Sequence, residues 1–323
     1  MNFTINPRNG SCDGFVLIKT IEKKLNVKGV PYLDLLVCDS SGEIVAKLWD
    51  YKEDIHGVYD AGEVIKIRGT LSTYNGADQL RIERIRKTLP EDNINLADYV
   101  PSAEYSGEDM LQALRDLVAS FKDKDIARLV SAIIDEKEEK LLFWPAAYRL
   151  HHAIRGGLLY HTLSIARLAQ NVCLTYPVID RDLLLGGVIL HDIAKIDEYE
   201  VNATGVATNY SVDGELIGHL VMGAMNISEK AKELGVPKET AVLLEHMLIS
   251  HHGQPEFGAA VRPMFIEAEV LSQLDTLDAT MYEMAQAISA VEVGGFTQRM
   301  WALDNRKLYN HGRKVVEPKA NLL

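Results

Sequence analysis

The stretch Leu183-Leu184-Leu185-Gly186-Gly187-Val188-Ile189-Leu190-His191-Asp192-Ile193-Ala194-Lys195-Ile196 decides the reading of this chain. Its flanks are almost entirely apolar, so residues 183–196 read as a buried helix. An adjacent imidazole and carboxylate on such a helix need partners, because an unpaired buried carboxylate is very costly. A metal ion meets that need. So does a second arrangement, a capped core histidine bonded to a nearby aspartate, and the dipeptide alone does not separate the two. Outward from it the same donor types recur, with His161 before it and His219, His251-His252 and Asp275 after it. Imidazoles and carboxylates spaced across one helical domain can hold two divalent cations side by side, which suits phosphate-ester hydrolysis.

Each donor has a local setting. His161 opens a helix after Gly156-Gly157-Leu158-Leu159-Tyr160, and His219 follows Gly218 at the head of a helix over 220–234. His251 and His252 close a helix over 242–250. Adjacent helical residues point about 100° apart, so these two are expected to take different roles rather than chelate one ion. Asp275 is an isolated acid on an apolar face, with Asp278 one turn on as the competing choice. Lys195 lies one turn beyond Asp192, where its ammonium either faces the same site or is an ordinary surface charge. His151 and His152 precede the first donor, with Arg155 beside them. They are candidates for contacting phosphate or protonating a leaving oxygen, against the plainer reading of histidines lying behind the ligands. His246 reads as a core histidine or one behind the ligands.

At 323 residues the chain has room for two domains, and its 47% hydrophobic and 25% charged residues are those of an ordinary globular protein. The longest apolar run is about half the roughly 18 residues a membrane helix needs, and the start lacks a signal-peptide pattern. Cys12, Cys38 and Cys173 are odd in number and form no CxxC pair, which fits a reducing cytoplasm and argues against a thiolate zinc site. The net charge of −12 is unevenly placed, since residues 1–90 hold 13 Lys and Arg against 12 Asp and Glu. The acidity therefore belongs to the later part, where bound cations would offset some of it.

From Gly14 to Arg86 the period is two. Runs such as Phe15-Val16-Leu17-Ile18, Leu33-Asp34-Leu35-Leu36-Val37 and Ile44-Val45-Ala46-Lys47-Leu48-Trp49 are separated by Gly-rich turns, and five short strands suggest a small barrel. After a stretch with Pro90, Pro101, Ser106 and Gly107 the period becomes helical, with Met110, Leu111, Leu114, Leu117 and Val118 on one stripe and Ile126, Leu129, Val130 and Ile133 on another. Helical character continues to about residue 291, with breaks at 176–177, 202–214 and 253–263. The expected organisation is a small β-barrel domain at 1–88, a linker at 89–107, an all-α domain at 108–295 and a basic tail at 296–323.

The first segment resembles the OB fold, on Gly29-Val30-Pro31-Tyr32-Leu33, Asp39-Ser40-Ser41-Gly42, Lys47-Leu48-Trp49-Asp50 and Ile67-Arg68-Gly69. OB barrels bind single strands by stacking bases on aromatics and passing the backbone along basic residues. Tyr32, Trp49, Tyr51 and Tyr74 are the aromatic candidates here, and Lys47, Lys66, Arg68, Arg81 and Arg84 the basic ones. Taken singly, each also fits a core aromatic or a solvated sheet face.

The order His, His-Asp, His, His-His, Asp resembles that of the HD-domain phosphohydrolases. The whole chain is similar to the YhaM-type 3′→5′ exoribonucleases of Gram-positive bacteria, most specifically at Pro145-Ala146-Ala147, at His151-His152-Ala153 through His161-Thr162, at Leu190-His191-Asp192-Ile193-Ala194-Lys195, at Glu245-His246-Met247-Leu248-Ile249-Ser250-His251-His252-Gly253 and at Phe296-Thr297-Gln298-Arg299. The resemblance implies one metal on His161, His191, Asp192 and Asp275, and a second on His219 and His251 or His252 with Asp192 bridging. Mn²⁺ suits such donors, with Fe, Co or Mg as alternatives. It further implies a catalytic set of Asp192, Lys195 and His152. In the basic tail Arg299 and Arg306 are candidates for phosphate contacts, since guanidinium matches phosphate well, against the plainer reading of a solvated tail. The substrate would be single-stranded RNA, with single-stranded DNA as a candidate second substrate, cut to nucleoside 5′-monophosphates; a homo-oligomer is one option, and the sequence does not fix the oligomeric state. Gly253-Gln254-Pro255 stands where a Gly-Tyr-Pro motif would be required, which argues against cyclic-dinucleotide hydrolysis. Two other readings remain at this point, a hydrolase of small nucleotides and a non-catalytic nucleic-acid-binding factor.

Overall fold

Alternating apolar residues build the first unit. The computed structural model describes residues 3–5, 10–39, 42–74, 77–148, 152–202 and 204–313. The chain divides into residues 1–102 with 202–204, and residues 103–201 with 205–323. In β3 (Pro31–Asp39) every second residue, Leu33, Leu35 and Val37, is buried. β2 (Ser11–Leu25), β4 (Gly42–Leu48), β5 (Val64–Tyr74) and β6 (Ala77–Lys87) add Val16, Ile18, Ala46, Leu48, Ile65, Ile67, Leu80 and Ile82 to the same core. The strand order is β2-β3-β4-β6-β5, with β5 pairing back onto β2 and with β1 (Phe3–Ile5) added beside β2. The β4–β6 pair is parallel, and a short helix α1 (Glu53–His56) lies between β4 and β5. This closed five-stranded arrangement is the OB topology. At Gly69, where the β5–β6 register shifts, a Cβ would stand 2.3 Å from the Arg81 carbonyl oxygen, so only glycine fits the tight crossing.

The stretch expected as a linker folds onto the barrel. Arg86 holds Asp92 with two hydrogen bonds of 2.7 and 2.8 Å, and Tyr99 and Val100 pack with Leu17 and Val64. Two buried apolar side chains explain why Pro-rich composition did not yield a free connector here.

The second unit is helical. α2 (Gly107–Ala119) and α3 (Lys124–Leu141) bury the two stripes expected of them. Both begin on side-chain caps, Ser106 accepting from Asp109 N and Asp123 from the backbone N–H groups of Asp125 and Ile126. α4 (Gly157–Thr175) leads to α5 (Arg181–Leu190), in which every residue from Asp182 to Leu190 is buried. At Gly187 a Cβ would stand 2.1 Å from the Met247 side chain, so the glycine lets α9 (Lys238–Ser250) approach α5 closely.

The α5 helix ends six residues earlier than the apolar run suggests. After Leu190 the hydrogen bonds tighten to a three-residue step, as in Ile193 N to Leu190 O and Lys195 N to Asp192 O, before the short α6 (Lys195–Glu198). The break at 202–214 holds part of a small hairpin of β7 (Tyr199–Val201) and β8 (Ala207–Tyr210), followed by α7 (Val212–Leu216). α8 (His219–Leu234), α9 and the long α10 (Ile266–Ser289) complete the bundle. The segment read as a basic tail folds back on itself, with Thr297 N bonded to Leu308 O, Met300 N to Arg306 O and Gly294 N to Asn310 O. Among the described residues no helix is long and apolar enough to cross a membrane.

Candidate metal centre and nucleic-acid face

Five parts of the helical unit deliver the donors to one place. His161 comes from α4, His191 and Asp192 from the tightened turn after α5, His219 from the first position of α8, His251 and His252 from the end of α9, and Asp275 from α10. Asp192 stands between two groups. Its Oδ2 lies 3.3 Å from His191 Nε2 and 3.7 Å from His161 Nε2. His161 Nε2 is also 3.1 Å from Asp275 Oδ1 and 3.4 Å from His191 Nε2. The other oxygen, Oδ1, lies 3.4 Å from His219 Nε2 and 3.7 Å from His251 Nε2. The donor atoms of His219, His251 and His252 fall within 4.8 Å of one another.

That last grouping departs from the expectation that neighbouring histidines diverge. The helix ends at Ser250, so His252 lies beyond helical geometry and the 100° rule does not bind it.

The tautomers follow from the far side of each ring. His191 Nδ1 donates to the Val188 carbonyl at 2.8 Å, His251 Nδ1 to Leu248 at 2.7 Å and His252 Nδ1 to Phe257 at 2.9 Å. A carbonyl only accepts, so these Nδ1 atoms carry the proton and each Nε2 presents a bare lone pair. Carboxylates do the same for the other two. His161 Nδ1 donates to Asp278 at 2.8 Å and His219 Nδ1 to Glu198 at 2.9 Å. Glu198 also accepts from the His219 backbone N–H, which fixes the start of α8.

The residues fit divalent cations. Asp192 Oδ1, His219 Nε2 and His251 Nε2 are buried, face one another and have no hydrogen-bond partner among the described residues. Three convergent lone pairs without a proton are costly unless a cation sits among them. Donors around one ion bound at about 2.1 Å lie roughly 3 Å apart, close to the separations found here. Every ring has an oxygen behind it, as metal-ligating histidines do. No cysteine joins any of the donor groups.

Charge favours cations as well. Burial pushes Asp192 up, yet Lys195 and His191 hold it well below the usual carboxylate range. Asp275, Asp278 and Glu198 are likewise held down despite burial, by His161, by His152 and His161, and by His219 respectively. Burial disfavours the His161 cation, but Asp275 and Asp278 raise its pKa to about 9. His251 and His252 are lowered, chiefly by burial, His252 to about 4, which leaves them neutral as metal ligands must be. Four ionised carboxylates thus surround the one Lys195 ammonium, a balance that favours bound cations.

The remaining expected residues are placed variously. Lys195 is buried, and its Nζ donates to Asp192 Oδ2 at 2.7 Å, so it is no ordinary surface lysine. His152 is buried in a left-handed backbone conformation, with Nε2 donating to Asp278 at 2.8 Å. It therefore stands behind His161, sharing the Asp278 carboxylate with it and with the Ser164 hydroxyl, rather than beside the bare donors. The Arg155 guanidinium lies 5.2 Å from the Phe143 ring. Arg299 Nη1 donates to the Asn305 carbonyl and Arg306 Nε to that of Leu303, so both brace the C-terminal fold-back. His246 Nε2 accepts from Met264 N. His151 lies outside the described residues, as does the side chain of Tyr74.

Glu198 was not legible beforehand. Sequence offers Asp197 and Glu198 side by side, and nothing in their spacing says which turns inward. The structure gives Asp197 to Lys137 at 2.7 Å and Glu198 to His219.

On the barrel, Tyr32 and Trp49 stack at 4.5 Å between centroids, both half-buried on the outer face. Lys47 Nζ lies 5.4 and 5.6 Å from their rings, and Lys47 is in register with Arg81 of the neighbouring strand. Lys66 lies over Phe15 at 5.1 Å, and exposed Arg68 is in register with Arg84. These form an aromatic and basic surface across β3, β4, β5 and β6. Tyr51 is a correction to the expected set, being buried with its hydroxyl donating to the Gly57 carbonyl at 2.7 Å.

Comparison with known proteins follows the same division. The HD domain family matches residues 158–280, which span every donor from His161 to Asp275. The 3′-5′ exoribonuclease YhaM of Bacillus subtilis (strain 168) is 36% identical over 297 residues, covering 92% of this chain and 94% of that protein. Its counterpart in Oceanobacillus iheyensis is 37% identical over 297 residues, covering 92% and 93%. Among solved structures, the protein priB from Ralstonia solanacearum aligns at 14% identity with a TM-score of 0.22, over 24% of this chain and 98% of that one. The barrel assignment rests on strand order rather than on that likeness. Because the identity to the curated relatives spans barrel and helical unit alike, the chain belongs to the family of YhaM 3′-5′ exoribonucleases.

Proposed function

We propose that this protein is a divalent-metal-dependent 3′→5′ exoribonuclease that removes nucleoside 5′-monophosphates from single-stranded RNA, with single-stranded DNA as a second substrate. The observation that carries the reading is Asp192, one carboxylate aimed with a different oxygen at each of two buried donor sets. His161, His191, Asp192 and Asp275 would hold one ion, and Asp192, His219, His251 and His252 the other. Mn²⁺ is the favoured ion, because histidine and carboxylate donors without thiolate suit it. Two such ions would lower the pKa of water to give a nucleophile at neutral pH and would stabilise phosphoryl charge.

The protein's own groups do the rest. Lys195 keeps an ammonium within the site, where it faces the charge that develops on a phosphoryl oxygen. Asp278 orients His161, while Glu198 orients His219. Lys195→Met is expected to keep its metals and lose about 10²–10³ in kcat, the usual scale for one charge-stabilising donor. Metal content and single-turnover rates measured on the same preparation check this. A rate within threefold of wild type would remove Lys195 from the chemistry.

The barrel holds the strand through the Tyr32–Trp49 platform with Lys47 and Arg81. Trp49→Ala is expected to weaken binding of a 20-nucleotide RNA by roughly 1–3 kcal/mol, the usual worth of one stacked base. Fluorescence anisotropy reads this, and unchanged affinity would place the strand elsewhere.

The activity itself is tested with a 5′-labelled single-stranded RNA of about 30 nucleotides and Mn²⁺, beside a chelator control. A descending ladder of labelled products, absent with chelator, is the expected result. Intact RNA, under conditions where the protein binds it and hydrolyses free nucleotides, would overturn the reading.

A further inference from the structure

A cavity of about 440 Å³ adjoins the metal-binding residues, with Lys195, His252 and Asp275 on its wall. Its other walls come from three places. α10 contributes Thr276, Thr280 and Glu283, spaced so that one helix face runs away from Asp275. The turn Pro255–Phe257 contributes Phe257, and the turn Trp301–Leu303 contributes Trp301. The volume lies in the range of small-ligand sites.

Two features of this wall are unusual. Phe257 and Trp301 are 72% and 74% exposed, large aromatic surfaces left to solvent beside a buried polar centre. Such faces stack nucleobases regardless of sequence. Charge is the second feature. Among the described residues, the one cation on the wall, Lys195, is already bonded to Asp192, and Glu283 has no cation partner. Partial burial accordingly pushes the Glu283 pKa up.

An upstream RNA strand brings one negative phosphate per nucleotide, and a carboxylate without a cation opposes it. The nucleoside beyond the scissile phosphate is different, because it ends in neutral ribose hydroxyls. Resting on the exoribonuclease reading, we infer that this cavity seats the 3′-terminal nucleoside, Trp301 and Phe257 holding its base and Glu283 accepting from its ribose hydroxyl, so that RNA ending in a 3′-phosphate is refused. A terminal phosphate carries close to two charges at neutral pH and would be set against the carboxylate.

The test uses two 5′-labelled RNAs of one sequence, ending in a 3′-hydroxyl or a 3′-phosphate, with the Mn²⁺-loaded full chain and its Glu283→Gln and Trp301→Ala variants. Wild type is expected to trim the hydroxyl end at least about tenfold faster, since like charges set together cost several kcal/mol. Glu283→Gln should narrow that ratio by raising the rate on the phosphate end. Trp301→Ala should raise KM for both RNAs by about 5- to 160-fold, the range for one lost stacking contact. Metal content and melting temperature, expected to match wild type, separate these effects from misfolding. Equal trimming of both ends by wild type, or a ratio unmoved by Glu283→Gln, would overturn the inference while leaving the exoribonuclease reading intact. Failure to trim either RNA would overturn both.

Discussion

Asp192→Ala is expected to abolish RNA trimming, with a loss of about 10³-fold or more, the equivalent of several kcal/mol of charge stabilisation. The size follows from geometry. His161 and His191 meet Asp192 at Oδ2, whereas His219 and His251 meet it at Oδ1. Removing any other single ligand weakens one donor set, while removing Asp192 takes a donor from both. It also leaves the Lys195 ammonium buried without its partner, a situation that typically costs 3–5 kcal/mol of stability. The double variant Asp192→Ala with Lys195→Met removes that stray charge and isolates the metal effect. Its expected behaviour is a melting temperature nearer wild type with metal content and activity still lost. Wild-type metal content in Asp192→Ala would show that the carboxylate holds neither ion.

The second large effect is at Asp278, which is expected to touch no metal. Its carboxylate accepts from His152 Nε2 and His161 Nδ1 at 2.8 Å each, and from the Ser164 hydroxyl. Asp278→Ala strands buried donors, each costing about 1–3 kcal/mol. A total near 3 kcal/mol would lower the melting temperature by roughly 6–12 °C in a domain of this size. The ring of His161 also loses the anchor that aims its Nε2, and lost anchors of this kind usually weaken metal affinity 10–100-fold. Asp278→Asn keeps one acceptor oxygen and should fall between. If Asp278→Ala binds metal as tightly as wild type, the orienting role is wrong.

The convergence of the His and Asp donors was largely legible because they are scarce residue types at intervals that helices bring together. His191-Asp192 inside an apolar run announced a buried polar problem that needed a solution. Residues that act through others were harder to find. Asp275 and Asp278 are one turn apart, and only tertiary packing shows that the first meets His161 Nε2 and the second Nδ1. At the C-terminus composition suggested a basic tail, whereas packing shows Arg299 and Arg306 each bonded to a carbonyl of a fold-back whose turn carries Trp301 to the cavity. In the barrel, period-two alternation put Lys47 on the outer face but left Trp49 open between core and platform. It could not place Tyr51, which follows the strand and turns into the core.

The most direct test is to titrate Mn²⁺ into metal-free protein, following bound ion per chain, the electron paramagnetic resonance spectrum and RNA trimming together. Two donor sets sharing Asp192 predict two ions per chain, an exchange-coupled manganese pair, and activity that appears as the second ion binds. Full activity with one ion per chain and an uncoupled spectrum would contradict the account.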